Sequence, residues 1–227
     1  TEPTRANYRF TGWNTAANGS GTAYAKGAVY TGNAALTLYA QWAPNTYTVR
    51  YMENASGDTT LSGTTKFTTH TYNKPSNIAK CGYKRKGYVF TNWNTKADGS
   101  GTSYGASSKV SNLTDKDRGV VFLFAWWKPI KYQITFDKGN KAASGSMETI
   151  TAYYDQAVTI PKNIFSRDGY EFGFWTTVKK YNGKNWYYQD QESITPNFIT
   201  KENDKLQLKP VWLYSVTLDP NGGNGEI

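Results

Sequence analysis

Apolar and polar residues alternate with a period of two in short stretches set off by turn residues. In Tyr47-Thr48-Val49-Arg50-Tyr51, the apolar Tyr47, Val49 and Tyr51 point one way and Thr48 and Arg50 the other, the pattern of a half-buried strand. Val121, Leu123, Ala125 and Trp127 form a second such face. There Phe122, Phe124 and Trp126 fill the intervening positions, which predicts a strand that is central or covered on both sides. Further strands are expected at Thr64–Tyr72 and Glu148–Tyr154. A proline-containing connection follows each, Lys74–Ile78 and Val158–Lys162, with room for a single helical turn. In Tyr88–Thr95 a regular ladder would turn Trp93 away from Tyr88 and Phe90, unless the strand is apolar on both sides or a bulge near Asn92 re-aims the indole. Asp98-Gly99-Ser100-Gly101 reads as a turn into another short strand. No segment sustains a period of 3.6, so the expected fold is mainly β, α+β at most.

These elements recur. Asn7-Tyr8-Arg9-Phe10-Thr11-Gly12-Trp13-Asn14-Thr15 returns 80 residues later as Gly87–Thr95, and more weakly as Gly169–Thr177. The stretch Asn18–Tyr24 returns as Asp98–Tyr104. A closing motif, Leu36–Trp42, matches Val121–Trp127 and Leu206–Trp212, with its tryptophans 85 residues apart each time. An opening motif appears at Tyr47–Tyr51, Tyr132–Phe136 and Tyr214–Leu218. Three motifs in constant order at one period define a tandem array. Residues 46–129 and 130–214 are complete repeats, 1–45 is the C-terminal half of one, and 215–227 is the opening strand of another. Each complete repeat is expected to be a small module of four to five short strands around its own aromatic core. Short linkers, two containing a proline (Pro44 and Pro129), predict an elongated, stiff rod. Both chain ends fall inside repeats, so the chain reads as part of a longer protein. The tail strand of one copy is expected to be able to complete the N-terminal half-repeat of another, end to end.

The Tyr-x-Phe-x-Gly/Asn-Trp-Asn-Thr segment, the Asp/Asn-Gly-Ser-Gly turn and the closing Leu-x-Leu-x-Ala-x-Trp together resemble the Listeria–Bacteroides repeat, also known as the internalin B-repeat. Val216–Gly225 is similar to that family's opening strand and Gly-rich turn. The likeness is strong through residue 129 and weaker in the third repeat, where Val178–Tyr188 replaces the Ser-Gly turn. The resemblance implies a β-grasp-like fold in large secreted or wall-anchored bacterial proteins, where such repeats serve as spacers or contribute to adhesion. It supplies no catalytic residues and no cofactor.

Composition sharpens this picture. Aromatic residues make up 16% of the chain, and the single Cys excludes an intrachain disulfide. No apolar run approaches membrane-spanning length, and no nucleic-acid-binding pattern occurs. The net charge is +9, and it is uneven: twelve basic against five acidic residues give the second repeat +7. The basic run contributing Lys80, Lys84, Arg85 and Lys86 is a candidate contact for anionic wall polymers or acidic glycans, or simply a solvated loop. Trp13, Trp93, Trp175, Trp42, Trp127 and Trp212 recur at structural positions and read as core, whereas Trp126 and Trp186 have no counterparts and are candidates for exposed glycan contacts. His70 and Cys81 lack the orienting third group that a nucleophile–base pair needs, and Ala152 and Asn163 replace them in the third repeat. The expected role is a non-catalytic, extracellular spacer, with adhesion through the basic second repeat as the alternative.

Overall fold

A computed structural model describes residues 2–214. The expected opening strand at Tyr214–Leu218, and the end-to-end complementation built on it, fall almost wholly outside them. The N-terminal half-repeat contains β1 (Tyr8–Asn14), β2 (Ala23–Tyr24) and β3 (Tyr39–Pro44). The second repeat contains β4 (Thr46–Met52), β5 (Ser62–Gly63), β6 (Thr68–Thr71), β7 (Ser76–Asn77), β8 (Tyr83–Lys84), β9 (Tyr88–Asn94), β10 (Ser103–Tyr104), β11 (Lys109–Val110) and β12 (Gly119–Pro129). The third contains β13 (Lys131–Phe136), β14 (Ile150–Tyr153), β15 (Val158–Thr159), β16 (Tyr170–Thr177), β17 (Tyr187–Tyr188), β18 (Ser193–Ile194) and β19 (Lys205–Tyr214). No helix occurs among the described residues, so none is long and apolar enough to cross a membrane. The fold is mainly β.

By spatial contact the chain divides into two compact units. One holds the residues up to Lys84 together with Phe90–Trp127, and the other holds Arg85–Val89 with Lys128 onward. In the first unit a five-stranded sheet runs β10-β9-β12-β4-β6, and the half-repeat forms a three-stranded sheet β2-β1-β3. In the second unit the order is β14-β13-β19-β16-β17. The opening and closing strands lie side by side and parallel, Tyr47 opposite Gly119 in one sheet and Gln133 opposite Lys205 in the other.

Alternation decides what is buried. Tyr47, Val49, Tyr51, Leu123 and Ala125 meet Trp93, Ile78 and Val110 in one core, and Tyr132, Ile134, Leu206 and Leu208 meet Trp175, Ile160 and Ile199 in the other. A bulge re-aims the tryptophan. The β1–β3 register slips between Phe10 and Gly12, and the β16–β19 register between Phe172 and Phe174. Phenylalanine and tryptophan three residues apart therefore face the same side in β1 and β16, their centroids 5.1 Å apart for both Phe10–Trp13 and Phe172–Trp175, and Phe90 and Trp93 of β9 stand equally close at 5.0 Å.

Two expectations are corrected, and a third is narrowed. The connections at Lys74–Ile78 and Val158–Lys162 hold no helical turn. Each instead forms a two-residue strand, β7 pairing with β11 and β15 with β18. The closing strand β12 is central, which is one of the two readings of its continuous apolar run; the other, cover on both sides, does not hold, since Val120, Phe122 and Trp126 are 49%, 47% and 38% exposed. In the half-repeat, Leu36-Thr37-Leu38 matches the closing motif yet is not strand. The corresponding part of β12 is held by its parallel partner β4, and no such partner flanks β3 in its sheet.

Candidate functional site

The basic run of the second repeat is not a simple loop. Lys84 lies in β8, opposite Ser62 of β5, and the boundary between the compact units falls between Lys84 and Arg85. Lys80, Lys84 and Lys86 are exposed, while Arg85 is half-buried. The Arg85 guanidinium lies 3.7 Å from the centroid of the Tyr88 ring, and the Tyr88 N–H donates to the Arg85 carbonyl at 3.2 Å. The turn between them needs the left-handed φ of 75° at Gly87. The same device recurs with Arg5 over Tyr8 at 4.1 Å and Arg167 over Tyr170 at 3.4 Å, with φ of 65° at Asn7 and 75° at Gly169. A cation–π contact repeated at one turn of every repeat is part of the architecture. Its signal, Arg-x-x-Tyr at constant spacing before β1, β9 and β16, is present in the sequence but was not recognised there.

The two unmatched tryptophans differ. Trp126 is 38% exposed on the outer face of β12, its ring against Gly99, where an added Cβ would come within 2.7 Å of it. Trp186 is only half-exposed: Phe198 stacks on it at 4.7 Å and the Lys184 ammonium sits 4.4 Å from its centroid. Its indole N–H also donates to the Tyr181 carbonyl at 3.4 Å. Trp186, Tyr188, Glu192 and Phe198 border a recess of about 390 Å³ in the second unit. Among the recurring tryptophans, Trp93 and Trp175 are fully buried. The closing-motif tryptophans Trp127 and Trp212 are half-buried and donate to the carbonyls of Glu53 and Lys138 at 2.8 and 3.1 Å. Trp13 and Trp42 are also half-buried.

His70 is 2% exposed and stacks on Tyr47 with centroids 5.3 Å apart. Its Nδ1 lies 2.6 Å from the Ser76 hydroxyl of β7 and its Nε2 2.8 Å from the Thr68 hydroxyl of its own strand, so both ring nitrogens are partnered and one of them ties β6 to β7. The Cys81 thiol instead approaches the Tyr83 carbonyl at 3.7 Å, and burial pushes its pKa up, away from the thiolate. Burial pushes the His70 imidazole down. The folded chain therefore binds the His70 proton less readily than the unfolded chain does. This contribution to stability is complete above the unfolded value of about 6.5 and is lost as pH falls below it, by at most about 1.4 kcal/mol per pH unit. As the single histidine, His70 gives one Cε1–H resonance, which should titrate with a midpoint below 6.5; a midpoint at or above that value would contradict this assignment.

The third repeat rebuilds the same core with fewer polar partners. Ala152 stands opposite Tyr132 where His70 stands opposite Tyr47. The Tyr132 hydroxyl is buried without a hydrogen-bond partner, and burial pushes its pKa up to about 12. Among the described residues no group of three or more His, Cys, Asp and Glu could hold a metal ion.

Two successive repeats with one motif set and the same parallel pairing of opening and closing strands define a tandem β-repeat protein. The profile of the Listeria-Bacteroides repeat domain matches residues 1–41, 47–115 and 132–200, and the chain belongs to this family. It is also 30% identical over 231 residues to a protein of Evansella cellulosilytica that is named, provisionally, a Gly-rich membrane protein. That similarity covers 97% of this chain and 24% of the relative, so the chain spans about a quarter of the relative's length. No solved structure matches the chain significantly.

Proposed function

We propose that these repeats are a non-catalytic, stiff spacer in a bacterial surface or secreted protein, presenting another part of that protein away from its anchor. The observation that carries this reading is how the residue between repeats is held. The Asn45 N–H donates to the Asn7 carbonyl at 3.0 Å, and the Asn45 carbonyl accepts from the Tyr72 N–H at 2.8 Å. At the next boundary, Ile130 donates to Gly87 at 2.9 Å and accepts from Tyr154 at 3.0 Å. A linker residue bonded on both sides resists the rotations that a free linker permits. The parallel pairing of opening and closing strands supports the β-grasp-like reading of each module, and the membrane-protein name of the relative supports a location at the cell surface.

Small-angle scattering tests the proposal. The chain should scatter as an elongated particle with little interdomain flexibility. Ile130→Pro removes the N–H donated to Gly87 and, because Ile130 is buried in the core of the second unit, also lowers that unit's stability; the added flexibility should be seen at a temperature where both units remain folded. A compact particle, or one already flexible before substitution, would remove the spacer reading.

A further inference from the structure

The exposed large apolar side chains of the second repeat are not scattered. Phe67, Val120, Phe122 and Trp126 are 63%, 49%, 47% and 38% exposed, and they are the large hydrophobic residues of 46–129 that stand out in solvent. Val120, Phe122 and Trp126 alternate along β12 with the half-buried Phe124, all on the face opposite the core. Phe67 immediately precedes β6 and shares the parity of Thr69, which pairs with Thr48 on that same face. Alternate side chains on a strand stand about 7 Å apart, so these rings form a row on a flat sheet rather than the lining of a cavity. Single exposed apolar residues are ordinary, but several gathered on one sheet face mark an interaction surface.

The other repeats show that this row is not needed for folding. At the positions of Val120, Phe122, Phe124 and Trp126, the third repeat has Lys205, Gln207, Lys209 and Val211 in a strand with the same parallel pairing. Gln41 stands at the Trp126 position in the half-repeat, and its side chain fills the same place beside the turn glycine Gly19. The fold tolerates polar residues at these positions, so the aromatic row is an addition particular to the second repeat.

Charge narrows the occupant. Arg50, exposed on β4, pairs directly across from Phe122, so its guanidinium rises within the row. The outer strand positions Thr48, Arg50 and Met52 of β4, Thr69 of β6 and 120, 122, 124 and 126 of β12 include no carboxylate. The repeat as a whole carries +7 from its twelve basic and five acidic residues. We propose that this face binds an acidic polysaccharide: sugar rings lie with their apolar C–H faces on Phe122 and Trp126, and a uronic carboxylate pairs with Arg50 through the planar fork of the guanidinium. None of its residues belongs to the Lys80–Lys86 run, and it adds to the spacer reading without resting on it.

The test uses the whole chain with three probes. Polygalacturonate carries rings and charge, polyglutamate charge without rings, and soluble cello-oligosaccharides rings without charge. Polygalacturonate should bind more tightly than either of the others and should shift the Trp126 indole N–H resonance, identified by its disappearance in Trp126→Val. Phe122→Gln with Trp126→Val, the residues of the third repeat, should weaken polygalacturonate binding by about tenfold or more at unchanged melting temperature. Arg50→Thr, again the third repeat's residue, should weaken it and flatten its salt dependence. If the double variant melts early, Arg50→Thr and the unsubstituted protein's indole shift decide the matter. The proposal is overturned if polygalacturonate does not bind at low salt, if polyglutamate binds equally well, if the Trp126 resonance does not move, or if the face proves to be occupied by a second copy in concentration-dependent self-association.

Discussion

Trp93→Ala should remove about a third or more of the stability of the second repeat while leaving the third intact, and Trp175→Ala should do the reverse. Trp93 is fully buried, with Tyr51, Phe90 and Tyr83 at 4.8, 5.0 and 6.4 Å between ring centroids. Its indole N–H donates to the Ala79 carbonyl at 2.9 Å, while the Ala79 N–H donates to the Tyr51 hydroxyl at 2.8 Å. Truncation therefore opens a cavity and leaves a carbonyl without its partner. Such a change costs about 4 kcal/mol, and a module of this size has a total stability of roughly 4–13 kcal/mol. Trp175 fills the corresponding place against Phe136, Phe165 and Phe172 at 5.2, 6.1 and 5.1 Å. Its indole N–H donates to an Asp190 carboxylate oxygen at 3.4 Å rather than to a carbonyl. Amide hydrogen exchange read separately over residues 46–52 and 131–136 checks the prediction. A loss of protection shared equally between the two stretches would show that the cores are not independent, and a loss below about 1 kcal/mol in the substituted repeat's own stretch would show that the tryptophan does not carry its core.

Those cores were legible in the sequence for a definite reason. Tyr47, Val49 and Tyr51 announce their face through a period of two, and recurrence distinguishes a core tryptophan from an incidental one. The bulge was legible as a conflict, because Phe90 and Trp93 could share a core only if the strand broke its alternation. What stayed hidden depends on partners distant in sequence. Nothing in Ser76-Asn77 marks it as a strand, since two residues carry no period and their partners, Lys109 and Val110, come much later. Leu36-Thr37-Leu38 reads as strand by pattern, yet a closing strand needs the opening strand beside it. The outer aromatic row was legible only in part: Trp126 stands out because it has no counterpart in the other repeats, whereas nothing in the sequence tells whether the face that carries Phe122 is covered, and the exposure of both rings shows that it is open. Arg85 was assigned to solvent by its neighbours in sequence, although its counterparts Arg5 and Arg167 place it over a tyrosine.

Asn94→Ala should destabilise the second repeat by about 3 kcal/mol, while Thr176→Val at the corresponding position of the third should leave stability unchanged or raise it by up to about 1 kcal/mol. The opposite signs follow from local partners. Asn94 is 1% exposed, and its Oδ1 accepts from the N–H groups of Lys96 and Gly101 at 2.9 and 3.1 Å. Its Nδ2 donates to the carbonyls of Gly99 and Gly101 and to the Ser103 hydroxyl at 3.0, 3.2 and 3.0 Å. One side chain thus fastens the whole turn into β10, and Asn14 does the same in the half-repeat through Ala16, Gly19 and Gly21. The glycines belong to this arrangement, since a Cβ at Gly101 would collide with the Thr95 hydroxyl and the Asn94 amide. In the third repeat a longer loop replaces this turn. Thr177 still clasps it, donating its N–H to the Trp186 carbonyl at 3.0 Å and accepting the Trp186 N–H on its hydroxyl at 3.2 Å. Thr176, however, is left 6% exposed with a buried hydroxyl that has no partner. Removing that hydroxyl relieves an unsatisfied group, whereas removing the Asn94 amide creates several. Thermal unfolding of both variants, with exchange measured across residues 94–104 and 176–188, reads the contrast directly. Equal destabilisation at the two sites would mean that the loops, and not the asparagine, set the stability of this turn.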